Sequence, residues 1–325
     1  MASSPDLFGK RLILVLGKGG VGRTTIAAAL AQRLAARGRD TLLYQANAKE
    51  TLSRLFDGRP VNEHITRIGS HLFAVNTNPN AALHEYALMV LRFETLYRVV
   101  FENKVARALL RAIPGLDDYS IMGKLWYHTT ETESDGTPRW DTVVFDAPAT
   151  GHALNMLRIP TSILATVPRG PLTRDAEKVR ALLSDPERTA VVLTTLAEDL
   201  PCNEAIEAHA VLTEELEMPV SHLVVNRLYP DRFMRNTSAA RLLEGVDPAA
   251  LSPRVAAMFA SAGTIQKRRA LNDKYLLRLR ERLALPELHV PFLFTSAFGS
   301  DELARVGAVL EEQLAALPVG RFALR

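Results

Sequence analysis

The sequence predicts an α/β fold with a mostly parallel sheet of about eight strands flanked by helices. Two observations predict this class. Strand-like apolar runs alternate with segments of helical character at short spacing along the chain. The first run, Arg11–Leu16, is almost wholly apolar, which is typical of a strand buried on both faces of a parallel sheet.

The elements follow in order from that first strand. A glycine cluster ends it, and Thr24–Ala36 then has an Ala-rich helical composition, with Gly38 where a helix often ends. The next strand candidate is Thr41–Tyr44. Six more candidates follow: Leu72–Val75, Asp141–Phe145, Ser162–Val167, Thr189–Thr194, Val220–Asn226 and Leu288–Phe294.

Two long helical stretches interrupt this alternation. One covers residues 81–130, with a break at Pro114-Gly115, and the other covers residues 230–285. They follow the third and the seventh strand candidates. We interpret them as helical insertions in one domain that spans residues 1–325.

The composition excludes several classes of protein. The 39 Lys and Arg residues nearly balance the 36 Asp and Glu residues, so the net charge of +3 does not indicate a nucleic-acid binder. No apolar run is long enough to cross a bilayer, and the first ten residues lack the apolar core of a signal peptide. We therefore expect a cytoplasmic protein with no stable membrane anchor. The single cysteine, Cys202, excludes an intramolecular disulfide and a Cys-rich metal site within one chain.

The strongest local motif follows the first strand and opens the first helix, as a phosphate-binding P-loop does. Its residues are Gly17, Lys18, Gly19, Gly20, Val21, Gly22, Arg23, Thr24 and Thr25. The glycines allow the backbone N–H groups to turn toward phosphate oxygens, and the helix N-terminus adds positive potential. Thr24 occupies the position whose hydroxyl would bind Mg²⁺.

Two basic residues of this loop have special positions. Arg23 replaces the Walker A lysine. Because the chain has 31 Arg and only 8 Lys, the replacement can reflect neutral drift; alternatively, it impairs hydrolysis. Lys18 follows the first glycine, which defines the deviant Walker A subclass. In that subclass the lysine crosses a dimer interface to the partner's phosphates. The alternative for Lys18 is a solvated surface lysine.

A second phosphate-sensing segment follows the strand candidate Asp141–Phe145. Asp146 stands at the strand's carboxyl end, where a Walker B aspartate holds Mg²⁺ through water. The residues after it form a loop that could respond to the γ-phosphate, as switch II segments do. We expect this switch II to comprise Asp146, Pro148, Thr150, Gly151 and His152.

Three stretches together resemble one ATPase family: GKGGVGRTT, DAPATGHALNMLRIP (146–160) and VVNRLYP (224–230). This is the family of the arsenite-pump ATPase and the guided-entry ATPase for tail-anchored proteins. Segments 114–126 and 290–299 extend the resemblance over nearly the whole chain. The Thr-Gly-His ending of switch II separates the chain from the related MinD and ParA ATPases.

The resemblance implies a P-loop NTPase fold with helical subdomains and a dimer that binds ATP or ADP with Mg²⁺ at its interface. Asn226 matches the family's adenine-contacting Asn. The loop around Pro291–Phe298 would close over the base, with Pro291 as a contact.

The chain departs from the family in switch I. Alignment on Leu52-Ser53 places Asn47 where the family has the Asp that orients or deprotonates the attacking water. A neutral Asn can position water but cannot take its proton, and loss of a general base typically costs about 10²- to 10⁴-fold in rate. Glu50 is a possible substitute, although its position matches the family's His.

These departures favour an ATP-binding dimer with weak or absent hydrolysis, acting as a nucleotide-dependent switch on a protein partner. It would be a homodimer or a heterodimer with a related ATPase, and Lys18 would complete a partner's site. Because Cys202 is the only cysteine, we expect no zinc between the subunits and doubt activation by arsenite.

Two alternatives remain. The first is an active ATPase that binds or targets a hydrophobic client, although the apolar stripe that includes Phe93 and Phe101 is more typical of a core than of a client groove. The second is a switch on membranes or DNA of the MinD or ParA type. We favour it least and expect no nucleic-acid partner.

Overall fold

Eight strands form one sheet in the computed structural model, which describes residues 6–79, 82, 115–231, 241, 245–247 and 251–317. The strands are β1 (Leu12–Gly17), β2 (Thr41–Ala46), β3 (Thr66–Gly69), β4 (Leu72–Thr77), β5 (Thr142–Asp146), β6 (Thr189–Leu196), β7 (Val220–Leu228) and β8 (Glu287–Pro291). Their order across the sheet is β3-β4-β2-β5-β1-β6-β7-β8, and only the β3–β4 pair is antiparallel. The α/β class and the mostly parallel sheet are confirmed.

The described helices cover both faces of this sheet. They are α1 (Arg23–Ala36), α2 (Leu52–Leu55), α3 (Leu116–Thr130), α4 (Thr150–Thr166), α5 (Pro171–Ser184), α6 (Asp199–Ala210), α7 (Pro253–Arg282) and α8 (Ser300–Ala316). None of the helices among the described residues is both long and apolar enough to cross a membrane.

The core has two layers, one on each face of the sheet. Alternate residues of β1 enter different layers: Leu12 and Leu14 pack in the layer of α3–α7, and Ile13 and Val15 pack in the layer of α1 and α8. Both sets are fully buried. This explains why the β1 sequence is apolar throughout instead of alternating.

The strand predicted at Ser162–Val167 is wrong, because this segment forms the last turns of α4. The buried residues of α4 include Ala153, Met156, Leu157 and Pro160, at helical spacing, whereas residues 161–167 are exposed or half-buried. A short apolar run rich in β-branched residues does not distinguish a strand from a helix end. The eighth strand is instead β3, a short antiparallel edge strand that the sequence analysis did not predict.

The described helices α3 and α7 lie within the two predicted helical insertions. Gly115 begins α3 with a φ of +79°, as the predicted break at Pro114-Gly115 requires. The remainder of the first insertion, including Phe93 and Phe101, lies outside the described residues, as does most of 232–250. The single-domain organisation stays a prediction.

Glu131, directly after α3, makes the fold sensitive to acid. Its carboxylate accepts hydrogen bonds from His128 Nδ1 (3.1 Å), from Trp140 Nε1 (3.3 Å) and from Arg139. Burial opposes ionisation, but the bonds from His128 and Arg139 outweigh it and lower the pKa of Glu131 to about 2. Because the folded-state pKa lies below the unfolded one, this stabilisation is present near neutral pH. It is lost as the pH falls from about 4.5 to about 2.

We therefore expect Glu131→Gln to lower the free energy of unfolding near neutral pH by about 2 kcal/mol. Urea unfolding over a series of pH values measures this, and the difference from the wild type should shrink toward about pH 3. Glu133→Gln is the matched control. The Glu133 side chain also faces Arg139, but it is 59% exposed and its oxygen is 3.7 Å from Arg139 Nε, so this ion pair contributes little to stability. An equal loss in both variants would contradict the assignment.

Candidate functional site

The candidate site lies at the carboxyl edge of the sheet, where the loop of residues 17–22 joins β1 to α1. Two of its glycines are required by close packing. A Cβ on Gly17 would stand 2.2 Å from the Thr194 carbonyl oxygen, and a Cβ on Gly22 would stand 2.3 Å from Asn226 Nδ2. Gly22 also has a φ of +97°. The loop therefore packs tightly against Thr194 of β6 and Asn226 of β7.

The N–H groups of residues 19–25 donate no hydrogen bond to any described residue. The first N–H that is used belongs to Ile26, which donates to the Gly22 carbonyl (3.0 Å). Gly19 and Gly20 are exposed to solvent. These seven consecutive N–H groups, which have no partner in the described part of the chain, lie at the N-terminus of a 14-residue helix and form a cradle that is suited to phosphate.

A buried carboxylate stands beside this cradle at the end of β5. Asp146 is 5% exposed, and its Oδ2 accepts hydrogen bonds from Thr24 Oγ1 and Gln45 Nε2, each at 2.7 Å. Burial raises the pKa of Asp146, while these two hydrogen bonds and the charge of Arg23 act against the rise. The structure thus brings together Thr24 and Asp146, both predicted as Mg²⁺ ligands.

Arg23 points toward switch II. Its guanidinium donates to the carbonyl of Ala147, the residue after Asp146. Burial lowers the pKa of Arg23, and the negative charge of Asp146 opposes that change. The Walker A position therefore holds a forked cation that contacts the backbone of switch II.

Lys18 has a partner within its own chain. Its Nζ forms a hydrogen-bonded ion pair with Glu204 on α6, and both side chains are about one-third exposed. In the single chain Lys18 is therefore a partly exposed lysine in an ion pair, and its role toward a partner's phosphates stays a prediction.

The switch I segment after β2 does not place a free carboxylate at the site. Asn47 is exposed, has a φ of +47°, and its N–H donates to the Thr77 carbonyl (2.8 Å). Glu50 accepts hydrogen bonds from Ser53 N (2.9 Å) and Ser53 Oγ (2.6 Å). Burial opposes the effect of these bonds, but the pKa of Glu50 is lowered. Its carboxylate therefore holds the start of α2 and is a weak base.

Of the predicted switch II residues after Asp146, Pro148 lies in the loop after β5, and Thr150, Gly151 and His152 form the first turn of α4. Thr150 is buried, Pro148 is half-buried and Gly151 is exposed. His152 Nε2 lies 3.1 Å from Oδ1 of Asp118 in the first turn of α3. The segment thus contacts both the phosphate cradle, through Arg23, and the helix that ends the first predicted insertion.

A cleft of about 310 Å³ extends from the cradle. Asn226 borders it, and its amide also donates to the Val21 carbonyl (2.8 Å), which ties the end of β7 to the loop. The other lining residues are Thr24, Thr25, Thr51, Arg54, Leu55, Arg227, Val290, Pro291, Phe292, Leu293, Phe298 and Val306. The lining combines apolar side chains with the Asn226 amide, three threonines and two arginines, a mixture typical of small-molecule sites. Asn226 and Pro291 therefore line the same cleft, and their contact with adenine stays a prediction.

The sequence comparisons place these features in a family. The model of the anion-transporting ATPases matches residues 10–169 and 171–245 of this chain. The chain belongs to the anion-transporting ATPase family. The family generally uses nucleotide and Mg²⁺.

Individual relatives support the assignment to the anion-transporting ATPases. The ATPase BagA of Mycobacterium tuberculosis is 34% identical over 69% of this chain and 67% of the relative. A putative arsenical pump-driving ATPase of Halobacterium salinarum is 28% identical over 92% of this chain but only 44% of its own length. The ATPase GET3B of Arabidopsis thaliana is 27% identical over 68% of this chain and 65% of the relative.

Sequence reasoning missed two polar residues of the site, Gln45 and Glu204. Gln45 is a buried polar residue near the carboxyl end of β2, next to the strand that carries Asp146, and this signal could have identified it. Glu204 carries no such signal, because its contact with Lys18 depends on how α6 packs beside the loop.

Proposed function

We propose that this anion-transporting ATPase is an ATP-binding, dimeric switch whose own hydrolysis is weak and which acts on a protein partner. The observation that carries the proposal is the row of seven N–H groups, without a partner among the residues that the structure describes, next to the hydrogen-bonded Thr24 and Asp146. A nucleoside triphosphate would bind the cradle with its phosphates and the cleft with its base.

The oxygen atoms at this place suit Mg²⁺. Thr24 offers a hydroxyl and Asp146 a carboxylate, both hard oxygen ligands, and Mg²⁺ usually takes only one or two such protein groups beside phosphate and water. The ion would neutralise charge on the β- and γ-phosphates. Thr24 and Asp146 are the residues that would hold it, directly or through water.

Weak hydrolysis follows from the residues around the γ-phosphate position. Asn47 cannot accept a proton, and Glu50 is engaged with Ser53. Arg23 binds the Ala147 carbonyl, so its contacts to phosphate differ from those of a lysine. Nucleotide binding would then change the conformation of switch II, while the rate of hydrolysis stays low.

Dimerisation is proposed from Lys18. Its position in the deviant Walker A motif is that of a cation acting on the partner's nucleotide. In the single chain Glu204 neutralises it, so assembly would exchange this contact for the phosphates of the second subunit.

Action on a hydrophobic client, with active hydrolysis, is the second candidate. It is favoured by exposed apolar residues on α7, where Met258 is 65% and Val255 is 37% exposed. Activation by metalloid thiol binding is disfavoured, since Cys202 is fully buried and burial raises the pKa of its thiol.

Size-exclusion chromatography with light scattering, with and without an ATP analogue, tests the proposed switch. We expect the analogue to produce a dimer in the wild type, and Lys18→Ala to weaken this dimerisation by about tenfold or more, the effect of removing a charged hydrogen bond. Glu204→Gln should leave Lys18 available and dimerise at least as well as the wild type. Dimerisation of Lys18→Ala that equals the wild type would refute the trans role.

A further inference from the structure

The register of the sheet places Gln45 next to Asp146. They are directly paired residues of the parallel strands β2 and β5. Gln45 lies two residues after Leu43, and Asp146 two residues after Val144, so each points to the same face of the sheet as that earlier residue. Leu43 and Val144 both pack in the core layer of α1. Neighbouring strands lie about 4.8 Å apart, so two side chains at this pair of positions must interact.

The interaction is a hydrogen bond in a nearly dry environment. Gln45 is 1% exposed, and its Nε2 lies 2.7 Å from Asp146 Oδ2. A carboxylate accepts and does not donate, so the amide must present its NH₂ group to it. A hydrogen bond from a buried side chain that is itself held in place limits the rotation of the carboxylate.

The two carboxylate oxygens of Asp146 have unequal environments. Thr24 and Gln45 both donate to Oδ2, and Oδ1 accepts no hydrogen bond from any described residue. Without Gln45, Thr24 alone would hold Oδ2, and a bond from a rotatable hydroxyl orients a carboxylate less strictly. The pair of donors therefore leaves one oxygen free for a further ligand.

We propose that Gln45 is a positioning residue that fixes the orientation of the Asp146 carboxylate, so that one of its oxygens faces the hydrated Mg²⁺ of a bound nucleotide. This rests on the proposed nucleotide binding of the chain. Gln45 itself does not contact the ion, and it acts through the carboxylate of Asp146. Its removal should weaken the contribution of Mg²⁺ to nucleotide binding and leave the contribution of the phosphate cradle intact.

Calorimetric titration of ADP in excess MgCl₂ and again in EDTA tests this inference. Gln45→Met preserves the length of the side chain and removes its donor. We expect the gain in affinity from Mg²⁺ to fall by about tenfold in this variant, while the affinity in EDTA changes by less than about twofold. Thr195→Val is the matched control, since Thr195 is also a buried polar residue near the end of a central strand and has no bond to Asp146.

Three outcomes would overturn the inference. A folded Gln45→Met that retains the full Mg²⁺ gain shows that Asp146 needs no support. An equal loss of affinity in MgCl₂ and in EDTA shows a structural effect on the cradle instead. A wild type that binds no nucleotide refutes the proposed function, and the inference with it. If thermal unfolding shows that Gln45→Met is not folded, Gln45→Leu takes its place with the same outcomes.

Discussion

Replacing Asn47 by Asp and Arg23 by Lys together is expected to raise the rate of ATP hydrolysis by about 10²- to 10⁴-fold. The Asp supplies a base where the structure has only a neutral amide. The backbone conformation at position 47 can be kept, because Asp, like Asn, tolerates the left-handed φ of +47° that Asn47 has. The Lys removes the fork that binds the Ala147 carbonyl and leaves a single cation to contact the phosphates.

Phosphate release by the purified double variant and by each single variant measures the effect. Glu50→Gln is the control, and we expect it to leave the wild-type rate unchanged, because the Glu50 carboxylate is engaged with Ser53. A wild type already as fast as the double variant would show that Asn47 and Arg23 do not limit hydrolysis. A strong loss in Glu50→Gln would assign the base to Glu50 instead.

Gly22→Ala is expected to lower nucleotide affinity by about 100-fold and the free energy of unfolding by about 2–3 kcal/mol. The added Cβ would lie 2.3 Å from Asn226 Nδ2, and the φ of +97° is unfavourable for any L-residue with a side chain. Relief of the clash must move either the loop or Asn226. Either movement disrupts the cradle and the base cleft together.

Titration with ADP and urea unfolding measure the two effects of Gly22→Ala. Gly263→Ala on α7 is the control, because a Cβ there meets nothing within 4 Å, and the variant should bind normally and be slightly more stable. Gly19→Ala likewise meets no protein atom and should unfold like the wild type. Wild-type stability in Gly22→Ala would contradict the close packing of Gly22 against Asn226.

Much of the fold could be predicted because its central strands are buried on both faces. β1 is apolar along its length and β5 is apolar between Thr142 and Asp146, and that signal is independent of their neighbours. The edge strand β3 is only four residues long and partly exposed, so its pairing with β4 depends on the adjacent turn and not on its composition. The last turns of α4 carry β-branched residues, and their helical state comes from packing of the preceding turns.

The site divides in the same way. Thr24, Asp146, Asn226 and Pro291 follow from motifs, and the structure brings them to one edge of the sheet. The partners of these motif residues come from distant elements, whose relative positions only the folded chain determines. Gln45 meets Asp146 through strand register, and Lys18 meets Glu204 through the packing of α6.

The hydrogen bond from the Asn226 amide to the Val21 carbonyl links the proposed base cleft to the proposed phosphate loop. Without this bond the base and the phosphates would bind independently of each other. In the proposed nucleotide complex, a base in contact with Asn226 would also restrain the loop, so that part of the entropic cost of fixing the loop would be met before the phosphates bind. Thermodynamic linkage requires the converse as well. The two halves of a nucleotide should therefore bind with positive cooperativity when they are offered as separate molecules.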